Sequence, residues 1–122
     1  MPERPISNPK QFVSNAPVLQ VQSPHETARY YRDKLGFTWD YGDDAYSVVY
    51  RENAAVHFVH AKEKSTGAKV FFWVQAVDEL RDEFVRNDVP ITVEIGDRPY
   101  GVRDFAIEDI NGISLIFRQE IK

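Results

Sequence analysis

The sequence contains no cysteine, and this absence removes several classes of site at once. A disulfide framework, a thiolate metal site and a cysteine nucleophile all need cysteine, so the composition fits a reducing compartment. Long apolar runs are absent too: no stretch approaches the ~20 residues of a membrane-spanning helix, and the N-terminal segment MPERPISNPK lacks the apolar core of a signal peptide. We therefore expect a cytoplasmic protein without a membrane partner.

An excess of positive charge is also missing, since the formal net charge is -4. This balance disfavours a general nucleic-acid binder and leaves cationic small molecules open as partners. The chain has 122 residues, of which 43% are hydrophobic and 13% aromatic. That length and composition predict one folded domain with a real core and too little chain for two.

Turn and helix-capping residues mark the predicted ends of the helices and strands. Asn111-Gly112 supplies the positive φ of a hairpin turn between two alternating apolar runs, although a turn of this kind occurs in many folds. Ser23-Pro24-His25-Glu26 matches a capping box, so a helix should begin there and end at Gly36, and a second helix should begin at Val77. Predicted strands cover residues 17–22, 37–41, 46–51, 55–60, 70–75, 91–95, 105–108 and 113–118.

Matching positions in the two halves reveal an internal repeat. Tyr31 and Phe84 coincide on the buried faces of the two helices, at an offset of about 53 residues. The predicted fold class is therefore α+β, with two tandem β-α-β-β-β modules at about 16–61 and 69–120 that follow an irregular N-terminal arm, residues 1–15. Each helix covers one face of its curved sheet, and pairing the remaining faces would enclose a cup.

Three features together carry a family resemblance: the repeated module, the segment Tyr30–Phe37 (YYRDKLGF) and the closing Asp109-x-Asn111-Gly112 turn. Over roughly residues 16–120 they resemble the vicinal oxygen chelate superfamily of glyoxalases, fosfomycin-resistance enzymes, extradiol dioxygenases and bleomycin-resistance proteins. The Pro99-Tyr100-Gly101 loop before the penultimate strand is most similar to the bleomycin-resistance branch. That branch implies a homodimer with ligand grooves lined by both subunits, which sequesters a drug without chemistry.

The resemblance also implies four metal-ligand positions, which the enzymes of the superfamily fill with His, Glu or Gln. In this chain they fall at Ala16, at His57 or Phe58 depending on strand register, at Lys69 and at Ile116. An alkyl group has no lone pair and an ammonium repels a divalent cation, so at most one protein ligand remains. We therefore expect no metal, no cofactor and no catalytic residue. The alternative is a metal-dependent lyase, isomerase or dioxygenase that uses His57 with ligands placed elsewhere.

Two further readings concern the histidines and the cavity. His57 and His60 cannot chelate one ion from a strand, because their odd separation places them on opposite faces. A cavity filled by the protein's own side chains, which would make the chain an interaction module, stays open as a third hypothesis.

Aromatic side chains dominate the expected lining of the cup. If Lys69 faces the cavity, strand period places Phe71 and Trp73 beside it, and Trp39 and Tyr41 should share one face of their strand. With Asp40, Asp43 and Asp44 nearby, such rings suit a planar or cationic ligand, including a bleomycin-like drug, through contacts worth about 1 kcal/mol each. The rings could equally serve as core or dimer packing. The expected ligand-binding set is Trp39, Asp40, Tyr41, Tyr46, His57, Phe58, His60, Phe71, Trp73, Tyr100 and Arg103.

Overall fold

Two modules of the same design follow one another in the computed structural model, which describes residues 12–63 and 67–121. The first consists of β1 (Val18–Val21), α1 (Pro24–Leu35), β2 (Thr38–Gly42), β3 (Tyr46–Arg51) and β4 (Ala54–His60). The second consists of β5 (Lys69–Trp73), α2 (Val77–Arg86), β6 (Val93–Asp97), β7 (Val102–Glu108) and β8 (Ser114–Glu120). The predicted two-module α+β fold is confirmed. Most of the predicted arm lies outside the described residues, so its boundary stays a prediction.

Each module contributes its own four-stranded sheet, with the orders β1-β4-β3-β2 and β5-β8-β7-β6. In both sheets the first strand runs parallel to the last, and the other pairs are antiparallel. Val18 lies opposite His57 in the first sheet, and Phe71 lies opposite Ile116 in the second. Because the topologies match, these two cross-strand pairs occupy equivalent places.

The helix ends are fixed by different means in the two modules. Ser23 Oγ accepts a hydrogen bond from Glu26 N at 3.1 Å, and Gly36 ends α1 with a φ of 75°, as the sequence predicts. No side chain from the residues that directly precede α2 caps its N-terminus. Instead Gln119 Oε1 on β8 accepts from Val77 N at 2.9 Å, so the sheet itself supplies the cap. None of the helices in the described parts of the chain is long and apolar enough to span a membrane.

The helix-facing sides of the two sheets share one apolar core. Phe37 of the first module meets Phe72 of the second with ring centroids 6.1 Å apart, and Tyr31, Phe58 and Phe84 are fully buried in the same core. Since each sheet uses this side for the core, its other side is left uncovered. We call these two surfaces the open face of the first sheet, around His57, and the open face of the second sheet, around Phe71.

A buried polar cluster ties the second module to the first. Tyr31 Oη on α1 donates to Asp109 Oδ2 at 2.8 Å, and Asn111 Nδ2 donates to Thr27 Oγ1 on α1 at 3.0 Å. Asp109 Oδ1 also accepts from the backbone of Asn111 and Ile113, at 2.8 and 3.0 Å. Burial raises the pKa of Asp109, while these hydrogen bonds oppose the rise. The hairpin turn that marks the sequence resemblance is thus an anchor between modules.

Candidate functional site

The open face of the second sheet carries three half-exposed rings. Phe71 and Trp73 on β5 are 49% and 48% exposed, and Tyr100 in the β6–β7 loop is 57% exposed. Lys69 shares their face, whereas Val70 and Phe72 point into the core, so β5 alternates as the sequence predicts. These rings form a platform that a single chain leaves in contact with water.

Arg118 on β8 lies in the middle of this platform. Its guanidinium carbon lies 4.4 Å from the ring centroid of Phe71 and 5.5 Å from that of Tyr100. Arg118 Nε donates at 2.9 Å to Asp104, a carboxylate that is only 5% exposed and also accepts from Arg98 Nε at 2.7 Å. Sequence reasoning missed Arg118, although its parity with Ile116 on β8 would have placed it on the same face.

On the open face of the first sheet, the main polar group is a pair of side chains. Tyr46 Oη lies 2.7 Å from His57 Nδ1, and His57 is half-buried. The strand register settles the two alternatives for this position: His57 points to the open face, while Phe58 is in the core with its ring 4.9 Å from that of Tyr31. His60 follows at an odd separation along the unbroken ladder, so it points the other way, and its Nδ1 donates to the Gln22 carbonyl at 2.9 Å.

A β-bulge at Asp40 separates Trp39 from Tyr41. Trp39 lies opposite Val49 and Tyr41 opposite Val48, so two neighbouring residues of β3 span three residues of β2. The prediction that Trp39 and Tyr41 share a face is therefore wrong. Tyr41 is 59% exposed beside the open face of the first sheet.

Trp39 lies instead against α1, where the ring of His25 meets it edge-on at 5.0 Å and the Arg32 guanidinium carbon lies 5.8 Å from its ring. Within the described chain, its buried Nε1 has no hydrogen-bond partner. Trp39 thus belongs to the helix side of the first sheet.

The acidic residues of the β2–β3 turn serve the local fold. Asp43 Oδ1 accepts from the backbone of Ala45 and Tyr46, at 2.8 and 3.2 Å, which closes the turn. Asp44 Oδ1 accepts from Ser23 Oγ at 2.8 Å and from His25 N at 3.2 Å, and the Ser23 hydrogen bond contributes most to lowering the pKa of Asp44. Asp43 therefore closes the turn, and Asp44 holds the start of α1 to it.

Arg103 lies on the helix side of the second sheet, away from the rings of the open face. It donates from Nη2 to Asp78 Oδ1 on α2 at 2.8 Å and from Nη1 to Asp97 Oδ1 on β6 at 3.0 Å. Both hydrogen bonds raise its pKa, the one to Asp78 more. The structure thus brings together Phe71, Trp73 and Tyr100 but not Arg103.

Three of the four positions implied for a metal lack a donor that fits a divalent cation, and the fourth is His57. Ile116 and Ala16 have alkyl side chains, Lys69 has an ammonium group, and His57 has Nδ1 committed to Tyr46. Across residues 12–63 and 67–121, no group of three or more His, Cys, Asp or Glu side chains is placed to hold a metal ion. These positions therefore do not supply the three or four protein ligands of a divalent-metal site.

A groove of about 1330 Å³ runs between the two modules. Its walls include β5, one side of α2, the β3–β4 turn and the residues before β1, and both Ala16 and Lys69 line it. Phe71 and Trp73 also line the groove, so it reaches the edge of the open face of the second sheet. This volume exceeds the roughly 300–1,000 Å³ of typical small-molecule pockets, so a drug-sized molecule would occupy only part of the groove.

Comparisons with known proteins agree on the fold. The bleomycin-binding protein of Streptomyces verticillus, solved with copper(II)-bleomycin, is 24% identical, with a TM-score of 0.78 over 88% of this chain and 95% of that chain. The bleomycin resistance determinant encoded on transposon Tn5 is 16% identical, with a TM-score of 0.80 over 88% and 98%. A glyoxalase-related enzyme of Clostridium phytofermentans is 21% identical, with a TM-score of 0.77 over 89% and 95%.

The family follows from the sequence itself and not from the structural comparisons. A comparison with curated proteins gives no match. The sequence profile of one family, however, matches residues 13–117, from the segment before β1 into β8. The chain therefore belongs to the Glyoxalase/Bleomycin resistance protein/Dioxygenase superfamily.

Proposed function

We propose that this protein binds a planar small molecule on its aromatic open faces without a catalytic metal, in the manner of a bleomycin-resistance protein. The observation that carries the proposal is the platform of Phe71, Trp73 and Tyr100, which are each about half exposed in the single chain. Soluble proteins rarely leave contiguous apolar patches uncovered without a partner or a ligand. Stacking of a flat ring system on such residues contributes about 0.5–1.5 kcal/mol per ring pair.

A homodimer is the second part of the proposal. Both open faces leave apolar residues uncovered, including Val18 and Tyr50 on the first sheet and Val93 on the second. A second copy of the chain would cover these residues and turn the platform into one wall of an enclosed site. The Streptomyces verticillus relative was solved with copper(II)-bleomycin, which makes bleomycin-class drugs the first ligands to test. A cytoplasmic location and a role in drug resistance stay predictions.

Titration of the purified protein with bleomycin and with uncharged planar aromatic compounds tests the proposal. Trp73 lies on the platform and Trp39 against α1, so their fluorescence reports different places. We expect ligand to quench the emission of the wild type and of Trp39→Phe, and to leave the emission of Trp73→Phe nearly unchanged. No change in the wild type at high micromolar concentrations of every compound would reject the proposed function.

A further inference from the structure

We infer that the ligand carries an anionic group attached to its planar ring system, and that Arg118 binds this group. The inference rests on the proposed function, because it assigns the charge of the molecule held by the open face of the second sheet. It departs from the sequence-based expectation of a planar or cationic ligand, since Asp43 and Asp44 lie in a turn of the first module, where they accept local hydrogen bonds, and the platform lies on the second sheet.

The guanidinium of Arg118 is held in place before any ligand arrives. Phe71 and Tyr100 flank it at 4.4 and 5.5 Å, and its Nε is hydrogen-bonded to Asp104. A group fixed in this way loses little conformational entropy when it binds a ligand. Within the described residues neither Nη atom of Arg118 makes a hydrogen bond, so the fork of donors that suits a carboxylate stays available.

The charges around Asp104 leave an excess of one positive charge. Arg98 and Arg118 both donate to this nearly buried carboxylate, at 2.7 and 2.9 Å. A second nitrogen of Arg98, Nη2, donates to the backbone carbonyls of Glu94 and Asp104 at 2.8 and 3.2 Å. One carboxylate cannot neutralise two guanidinium groups, and Arg118 is the member of the pair that lies among the rings.

Two other carboxylates share this face of the sheet but lie at its ends. Glu108 is in the row of Lys69 and Ser114, and Glu120 lies one same-face position beyond Arg118. Both are exposed to solvent, and neither forms an ion pair with Arg118 in the described structure. They are therefore screened by water, whereas a ligand anion on the platform would meet Arg118 in an apolar surrounding.

The strand register sets the geometry of such a ligand. Arg118 lies directly opposite Trp73, and neighbouring strands are about 4.8 Å apart. A ring stacked on Trp73 or Phe71 therefore carries a directly attached carboxylate or acidic oxygen to within reach of the Nη atoms. The chemical class that fits is a planar aromatic acid, whatever its source.

Three probes of nearly the same shape distinguish the effect of ligand charge on affinity from the effect of ring stacking: 2-naphthoate, 2-naphthamide and 2-naphthamidine. We expect calorimetric titration of the wild type to show naphthoate binding about ten-fold more tightly than the neutral amide, since a hydrogen bond between charged partners is stronger than a neutral one. The amidinium should bind most weakly. Added salt should weaken the binding of naphthoate more than that of naphthamide.

Arg118→Gln tests the assignment to this residue. We expect it to remove the preference for naphthoate over naphthamide while retaining the binding of naphthamide, a selectivity that loss of folding would not produce. Arg81→Gln is the matched control, because it removes the same charge from an arginine that pairs with Glu94 away from the platform. Equal affinities for the three probes, or a preference for the amidinium, would overturn the inference and leave the proposed function standing. If none of the three probes binds, the inference fails, and the fluorescence titration with bleomycin and uncharged planar compounds decides separately whether the proposed function fails too.

Discussion

At the scale of single residues, the most consequential contact outside the open faces joins Tyr31 to Asp109. Burying a carboxylate costs free energy unless hydrogen bonds replace those it made to water. Asp109 accepts one hydrogen bond from Tyr31 and two from the backbone. Burial still raises the pKa of Asp109 above its ordinary value of 3.8. Ionised Asp109 therefore reduces the free energy of unfolding, and this reduction develops as the pH rises from about 3.8 through the raised pKa.

Tyr31→Phe removes the hydrogen bond that favours the ionised form of Asp109. We expect the free energy of unfolding to fall by about 1–3 kcal/mol near neutral pH, because a buried carboxylate oxygen loses its partner. The pKa of Asp109 should rise further, so the difference from the wild type should grow as the pH increases across the titration of Asp109.

Urea unfolding at a series of pH values measures both effects. Tyr30→Phe is the matched control, since Tyr30 is only half-buried and its hydroxyl reaches the Glu108 carbonyl at 3.5 Å. It should change stability by less than about 0.5 kcal/mol. If the two variants were equally stable, or if the loss in Tyr31→Phe shrank with rising pH, the assigned role of this pair would be wrong.

At the scale of secondary structure, local residue patterns predicted the helices and strands. The features that they did not predict depend on contacts between residues distant in the sequence. The capping box at Ser23 and the alternation along β5 are properties of neighbouring residues, and both are confirmed. The bulge at Asp40 depends on how β2 pairs with β3, and the cap that Gln119 provides to α2 depends on a strand far along the chain. Strand period alone therefore placed Trp73 correctly but misplaced Trp39.

The end of α1 is another place where several elements meet. Arg51 on β3 forms two hydrogen bonds with Glu83 on α2, at 2.7 and 2.9 Å, and donates to the Leu35 carbonyl at 2.8 Å. Gly36 has a φ of 75°, which favours glycine, and a Cβ there would also come within 2.8 Å of Arg51 Nη1 and displace the end of that side chain.

Arg51→Met should lower the free energy of unfolding by about 1–2 kcal/mol, because Glu83 and the end of α1 lose a half-buried partner. Far-UV circular dichroism during urea unfolding measures the loss. Arg81→Met, which removes an ion pair between α2 and Glu94 inside the second module, should have a smaller effect. The reverse order of the two variants would show that Arg51 does not link the modules.

At the scale of the whole molecule, each sheet uses one face for the shared core and leaves the other uncovered. The sequence could predict this division, because a β-α-β-β-β module has a single helix to cover its sheet. It could not predict that Arg118 pairs with Asp104, since these two residues meet through the pairing of β7 with β8. The division itself is the physical basis for the proposed ligand site between two copies.

Two matched variants test whether two copies of the chain contact each other through the platform. Phe71→Asp places a charge on the platform, and Val85→Asp places the same charge at a similarly exposed position on α2. We expect Phe71→Asp to be a monomer and Val85→Asp to retain the assembly of the wild type, because only the first desolvates a charge in the interface.

Native mass spectrometry of the wild type, purified without chelator, tests the central claim most directly. The account predicts a species of two chains without a stoichiometric divalent metal ion, which takes up one planar ligand per chain when ligand is added. A monomer that takes up no ligand, or one Zn, Fe, Mn or Ni ion per chain, would contradict it.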